Sequence, residues 1–269
     1  MLSDITFGQY YPTSSFVHKM DSRIKLLLLI AYIVLIFVVK NFYGFLVVFG
    51  VLFIANCFSK VPFSSLIKSA NAVVFIIALT FVLNIFFYKP NNPTYLFWII
   101  TKEALLFSSF MALRLLSLVF FSMLLNLTTT PVALTDGIES LLKPLKVIKF
   151  PVHELALVMS IALRFIPILM NEADRIIMAQ KARGADFDSG NIFKRAKAML
   201  PVLIPLLISS FRRAEELGDA MDSRCYSSST SRTKFRKLKM TWRDLVAVIF
   251  TAICFTGVIL LNVYLGGMI

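Results

Sequence analysis

Arg183 and Arg224 end two stretches that read alike. One runs Asn171-Glu172-Ala173-Asp174-Arg175-Ile176-Ile177-Met178-Ala179-Gln180-Lys181-Ala182-Arg183-Gly184, the other from Arg212-Arg213-Ala214-Glu215-Glu216 to Ala220-Met221-Asp222-Ser223-Arg224-Cys225. An offset of 41 residues aligns Ala173 with Ala214, Asp174 with Glu215, Ala179 with Ala220 and Arg183 with Arg224. The shared ending is Ala-x-x-small-Arg-small, followed by breakers: Gly184 at one site, Ser227–Ser229 near the other. Each ending places one guanidinium in the last turn of a long helix, where the partial negative charge of the C-terminus favours a cation. Small neighbours leave the guanidinium approachable, and its planar fork can grip a carboxylate in an acidic pocket of another protein. Helix capping alone also explains a basic residue and a glycine at a helix end. Two copies, each following an apolar segment, favour the docking reading.

Other chemistry is missing. No Gly-x-x-x-x-Gly-Lys-Ser/Thr loop occurs, so no ATP site of that kind is expected. His153-Glu154 is not a zinc-protease signature, because position 157 is Leu. With two histidines, no serine–histidine–acid set is credible. Cys57, Cys225 and Cys254 lie far apart and form neither a disulfide framework nor a zinc pattern. No enzymatic activity, cofactor or metal is expected.

The elements that must hold the two arginines follow from composition. Apolar residues make up 58% of the 269 residues, charged residues only 16%, and the net charge is +13. Mean hydropathy is +0.79. These values exclude an ordinary cytosolic enzyme and a disordered chain, and indicate an integral membrane protein with a basic water-facing part. Five apolar runs are candidate spans: Ile24–Val39, Phe42–Phe58, Ala70–Tyr88, Ala104–Leu127 and Leu245–Leu265. The first follows His18-Lys19-Met20-Asp21-Ser22-Arg23 and is followed by no small-residue cleavage site, so it reads as a retained helix. Only Lys40 and Asn41 separate the first two runs, which implies a helical hairpin. The placement of lysine and arginine puts the N-terminus, 59–69 and 128–243 inside the cell, and 89–101 and Ile269 outside.

The apolar run His153–Met170 is read as lying outside the hydrocarbon. It contains His153, Glu154, Arg164 and Pro167, and Glu154 and Arg164 would each cost about 2.5–3.5 kcal/mol at a membrane centre. It suits a long amphipathic helix at or below the inner interface, as does Ala198–Phe211 running into Arg212-Arg213. Leu155, Val158, Met159, Ala162 and Ile166 recur at helical spacing, as do Leu203, Leu206, Leu207 and Ser210. These faces either pack on one another or are covered by a partner, and both can hold at once. Met159, Met170, Met178, Met199 and Met221 suit an adaptable surface. Pro167, Pro201 and Pro205 predict kinks or breaks, and Pro151 suits a helix start. Ala133–Leu145, between Pro131 and Pro144, reads as a short helix near the membrane; Ser189-Gly190-Asn191 reads as the turn between the long helices. The fold expected is an all-α integral membrane protein: four spans in 1–127, a cytosolic region 128–243 of one short and two long amphipathic helices, and a final span in 244–269.

At this point the sequence resembles a known family. Ala182-Arg183-Gly184 and Ser223-Arg224-Cys225 are similar to the paired X-Arg-X motifs of the T component of energy-coupling factor (ECF) transporters. These are membrane scaffold subunits of vitamin and metal-ion uptake systems of the ATP-binding-cassette (ABC) class. Ser15-Phe16-Val17-His18-Lys19-Met20-Asp21-Ser22-Arg23-Ile24-Lys25 is similar to the family's Ser-x-x-His-x-Leu-Asp-Pro-Arg-x-Lys opening. Met20 stands for the leucine, Ser22 for the proline and Cys225 for the second glycine; the last departure bears on how sharply the second helix ends. The resemblance implies a non-catalytic subunit with two kinds of partner. Two ABC ATPases would receive Arg183 and Arg224. A small membrane protein that binds the substrate would lie on the apolar faces of the long helices, at Leu155, Met159, Ala162, Ile166, Leu203, Leu206 and Leu207. The segment Ala133–Leu145 would be a first coupling helix.

Two charged features remain. Arg114 lies within the fourth span, and a structural role is favoured over a transport pathway. Arg232, Lys234, Arg236, Lys237, Lys239 and Arg243 precede the last span. Nucleic acid is an unfavoured partner for them, since Phe235 and Trp242 are the only aromatics there; anchoring at an anionic inner leaflet suffices. A self-contained secondary transporter or channel is the competing reading. It would require several intramembrane charges and repeated spans.

Overall fold

A computed structural model describes residues 10–88, 95–97, 100–148, 150–185, 187, 191–226 and 240–265. They are almost wholly helical. The helices are α1 (Ser22–Val38), α2 (Phe42–Ser59), α3 (Phe63–Phe87), α4 (Lys102–Thr128), α5 (Pro131–Leu142), α6 (Val152–Ala182), α7 (Ile192–Ser223) and α8 (Trp242–Leu265). A 3-10 segment, Lys143–Ile148, follows α5. Two short strands, β1 (Tyr95–Phe97) and β2 (Ile100–Thr101), pair antiparallel in the stretch read from sequence as an outer loop. The chain divides into two compact units: Gly8–Val152 with Leu238–Ile269, and His153–Lys237 with Met1–Phe7.

In the first unit the candidate spans appear as α1, α2, α3, α4 and α8. Among the described helices, α2, α4, Val152–Ala182 and Trp242–Tyr264 are long and apolar enough to cross a membrane; α3 offers the shorter apolar stretch Val73–Phe87, and α1 has 17 residues. Thus α6, kept out of the bilayer above for its charges, meets the same length and composition criterion. The core of this unit gathers Tyr32, Leu35 and Ile36 of α1, Phe45 and Val48 of α2, Phe110 of α4 and Val258 of α8. Aromatic contacts align the helices: Tyr32 stacks on Phe121 with centroids 3.8 Å apart, and Phe45 meets Phe110 edge-on at 4.9 Å. Between spans such van der Waals packing replaces the hydrophobic effect, because lipid tails are as apolar as leucine.

The tight α1–α2 link explains Arg114. The carbonyls freed at a helix end need partners wherever apolar side chains keep water away. Asn262 of α8 donates its Nδ2–H to Val38 O at 2.7 Å, and Arg114 of α4 donates from Nη2 to Val39 O at 3.2 Å. Lys40 N–H donates in turn to Asn262 Oδ1 at 3.3 Å. The guanidinium also lies over the Phe110 ring at 4.9 Å and the Phe37 ring at 5.5 Å. The structural role expected for Arg114 therefore takes the form of a helix-end cap.

The short helix α5 begins two residues earlier than expected, with Pro131 in its first turn and Thr130 accepting from Ala133 N–H at 3.3 Å. It packs on α1 at Gly137, where an added Cβ would lie 3.0 Å from Ser22 Oγ and 3.2 Å from the Ser22 carbonyl carbon. In the second unit, α6 and α7 run without a break through Pro167 and through Pro201 and Pro205. The breaks allowed for from the prolines do not occur. The turn Ser189-Gly190-Asn191 falls mostly outside the described residues, as do Ser227–Ser229 and the basic run from Arg232 to Lys239.

Candidate functional site

Both arginine endings adopt one cap. At the end of α6, Ala185 N–H donates to Gln180 O at 3.0 Å and Gly184 N–H to Lys181 O at 3.0 Å. At the end of α7, Tyr226 N–H donates to Met221 O at 2.9 Å and Cys225 N–H to Asp222 O at 2.8 Å. This is the Schellman arrangement, in which the residue after the cap takes a left-handed conformation. Gly184 has φ 86 and Cys225 has φ 54. The second helix therefore ends as sharply as the first despite its cysteine. Arg183 and Arg224 occupy the same cap position, and both side chains are exposed. Among the described residues neither guanidinium has a hydrogen-bond or ion-pair partner.

The two helices meet where the internal similarity predicts no particular contact. Arg213 Nη2 of α7 bonds Glu172 Oε2 of α6 at 3.3 Å, across a separation of 41 residues. These are equivalent positions of the two similar stretches, so the contact is of the kind a local two-fold relation produces. The arginines then lie equally far along their helices from this bridge, roughly 16 Å each at 1.5 Å per residue. The bridge is partly exposed, with side chains 35% and 27% accessible. It is thus worth at most about 1 kcal/mol, and it sets register more than it adds stability.

The proposed partner-binding faces divide. Leu155 and Ala162 of α6 are exposed and Met159 and Ile166 half-buried; Leu203 and Leu207 of α7 are exposed and Leu206 half-buried. Val158 is exposed beside Leu155. On α7 the exposed apolar stripe continues through Leu200, Ile204, Ile208 and Phe211, which sequence reasoning passed over. Leu200 and Phe211 lie one turn beyond Leu203 and Leu207, while Ile204 and Ile208 adjoin them and widen the stripe.

The opening motif folds into a polar knot in the first unit. His18 Nε2–H donates to Tyr11 O at 3.0 Å, so Nδ1 accepts from the Ser15 hydroxyl at 2.7 Å. Burial holds the His18 pKa below the ordinary histidine value, only partly opposed by the bond to Tyr11 O, in keeping with a neutral ring. Asp21 caps α1, accepting from Arg23 N–H at 3.0 Å. Lys25 Nζ donates to Thr128 O at 2.8 Å and to Thr129 Oγ1 at 3.2 Å, closing the end of α4. Asp244 was missed from sequence. It is buried and accepts from Asp21 N–H at 2.9 Å, Thr241 N–H at 2.7 Å and Thr241 Oγ1–H at 2.9 Å, joining the starts of α1 and α8. Its signal was a lone acid three residues after a threonine, at the head of an apolar run, a capping-box spacing. Among the described residues no cluster of His, Cys, Asp and Glu is suited to a metal ion.

Residues 13–235 match the family described as cobalt transport protein. The chain is 48% identical over 250 residues to the energy-coupling factor transporter transmembrane protein EcfT of Clostridium kluyveri, covering 92% of this chain and 93% of that one. It is 45% identical to the protein of the same name from Ruminiclostridium cellulolyticum, over 97% of this chain and 98% of the relative. To that of Bacillus subtilis it is 42% identical, over 93% and 95%.

Proposed function

This chain belongs to the energy-coupling factor transporter transmembrane protein family, and on that premise we propose that it couples two ABC ATPases to a separate substrate-binding membrane subunit. It is a membrane component of a transporter; the coupling role, the partners and the assignment of residues are our reading. The observation that carries it is the pair of Arg183 and Arg224. Two exposed guanidinium groups, without an ion-pair partner among the described residues, sit on caps of the same type, at equal distances from the Glu172–Arg213 bridge. Two copies of one tip suit two copies of one kind of partner. A rigid cap matters because a docking arginine must be presented without the entropy of a frayed helix end. Each fork would grip a carboxylate in a groove of one ATPase.

Motion of the ATPases on binding and hydrolysing ATP would displace the tips. Helices that run unbroken through their prolines can carry that displacement along their length. The exposed apolar residues Leu155, Ala162, Leu203 and Leu207, with Met159, Ile166 and Leu206 beside them, would hold the substrate-binding subunit. A stripe of that length is seldom left in water. In this reading α6 stays out of the hydrocarbon, residues 128–243 and the N-terminus face the cytoplasm, and α5 contributes a further contact. The transported solute would be selected by the other subunit.

The test is co-purification of the ATPases from membranes expressing the whole complex. Arg183→Ala or Arg224→Ala is expected to weaken docking by about 2 kcal/mol or more, roughly 30-fold in affinity. The double change is expected to abolish transport-coupled hydrolysis. Unchanged recovery of both ATPases with the double variant would refute the proposal.

A further inference from the structure

A half-open cavity of about 340 Å3 lies between α1, α2, α4 and α8, beside Phe16, Val17 and Met20, and the coupling role does not use it. It lies within one compact unit, and along α1 it extends from Lys25 to Tyr32, roughly 10 Å of helix. Its wall is almost entirely apolar, and the few polar side chains on it are already committed. Lys25 Nζ bonds Thr128 O and Thr129 Oγ1, and Tyr32 O–H donates to Val48 O. The hydroxyls of Thr128 and Thr251 donate to carbonyls of their own helices, Leu124 O and Ala247 O. A buried water needs two to four polar partners, and this wall has little left to offer one. The cavity also reaches the outside of the helix bundle, since its lining residues Ile54 and Val246 are each 40% exposed. For a chain in a bilayer, the apolar material at that opening is the lipid acyl chain.

The rim adds a charge. Phe16 lines the cavity, and the Arg243 guanidinium lies over its ring at 5.9 Å. Among the described residues Arg243 has no acidic partner. Its neighbour Trp242 is 76% exposed at the start of α8, the position of an interfacial tryptophan, which places Arg243 at headgroup depth. We propose that this cavity holds one acyl chain of an anionic phospholipid, whose phosphate pairs with Arg243 where it stacks on Phe16. The lipid would act as a wedge, filling space between α1, α2, α4 and α8 that no side chain fills.

The experiment uses the whole chain in nanodiscs of equimolar phosphatidylglycerol and phosphatidylcholine, followed by mild extraction and native mass spectrometry. Wild type is expected to retain one phosphatidylglycerol. Arg243→Gln is expected to lower the preference for phosphatidylglycerol about fivefold, the ratio a single basic residue supplies at an anionic surface. Val246→Trp, which fills the opening, is expected to release the lipid. A second measurement needs no variant: phosphatidylglycerol with a photoactivatable group in its acyl chain is expected to cross-link to Phe16, Ile54 or Val246. No retained lipid, equal retention of both lipids, or an unchanged preference in Arg243→Gln would overturn the proposal. So would cross-links confined to outward residues such as Phe53 and Ile253. Protection of the cavity wall by a segment of another subunit in the assembled transporter would likewise overturn it.

Discussion

Gly184 and Cys225 hold the same left-handed cap with different side chains, and the difference has a measurable cost. Gly184, at φ 86, meets no neighbouring atom that a Cβ would strike, so strain there is purely that of the backbone. Gly184→Ala is expected to destabilise the α6 cap by about 1 kcal/mol, because left-handed strain exceeds the gain from a stiffer unfolded chain. Cys225 already bears that strain at φ 54. Cys225→Gly relieves it but loosens the unfolded chain, and the two effects oppose one another. The net change is expected to stay below about 1 kcal/mol. Thermal unfolding of the detergent-solubilised protein reads both; a Gly184→Ala variant as stable as wild type would contradict the account. The repeated ending made the arginines legible in the sequence. It left open whether cysteine permits the same turn, since that depends on hydrogen bonds to carbonyls of the last helical turn.

Among the elements, the α1–α2 link shows how far a hydropathy pattern reaches. The apolar runs predicted a hairpin at Lys40-Asn41, and the structure has one. The pattern did not show what would satisfy the carbonyls of Val38 and Val39. Those bonds come from Arg114 and Asn262, on helices distant in sequence. Arg114→Leu is expected to cost about 1–3 kcal/mol, the penalty of leaving a carbonyl unpaired in apolar surroundings. Arg114→Lys should recover part of this, since an ammonium can reach one carbonyl but lacks the planar stacking on Phe110. The midpoint of thermal unfolding distinguishes the variants, and an unmoved midpoint in Arg114→Leu would remove Arg114 from the helix end. Helix bounds were legible less well than spans. α3 begins at Phe63 rather than Ala70, because polar residues such as Ser64 and Ser65 extend a helix without extending its apolar run.

For the whole molecule the number of crossings turns on α6. By length and composition α6 qualifies as a span, yet it carries Glu154 and Arg164. In the proposed coupling role it lies outside the hydrocarbon, with its arginine tip presented to a water-soluble ATPase. Five crossings then put the two termini on opposite faces. A tag at Met1 is expected to be protected from external protease in intact cells, and one at Ile269 to be cleaved. The same accessibility at both ends would mean an even number of crossings and would refute this topology. Internal similarity bears on the same question. The offset of 41 residues was visible in the sequence, while the bridge between Glu172 and Arg213 was not, because side-chain reach depends on how two helices approach.

Local and periodic properties were settled by the sequence alone. Apolar runs specify that helices form, since each residue contributes to hydropathy independently of its neighbours in space. The paired arginines and their small neighbours were likewise readable, whereas the prolines were not: α6 and α7 run through Pro167, Pro201 and Pro205. Tertiary structure decided whatever joins distant stretches: the Asp244 link between α1 and α8, the Lys25 bond that ends α4, the capping of Val39 by Arg114 and the cavity beside Tyr32. Each of these depends on directed bonds or on unfilled volume. Both are set by the relative positions of whole helices, which no single stretch of sequence contains.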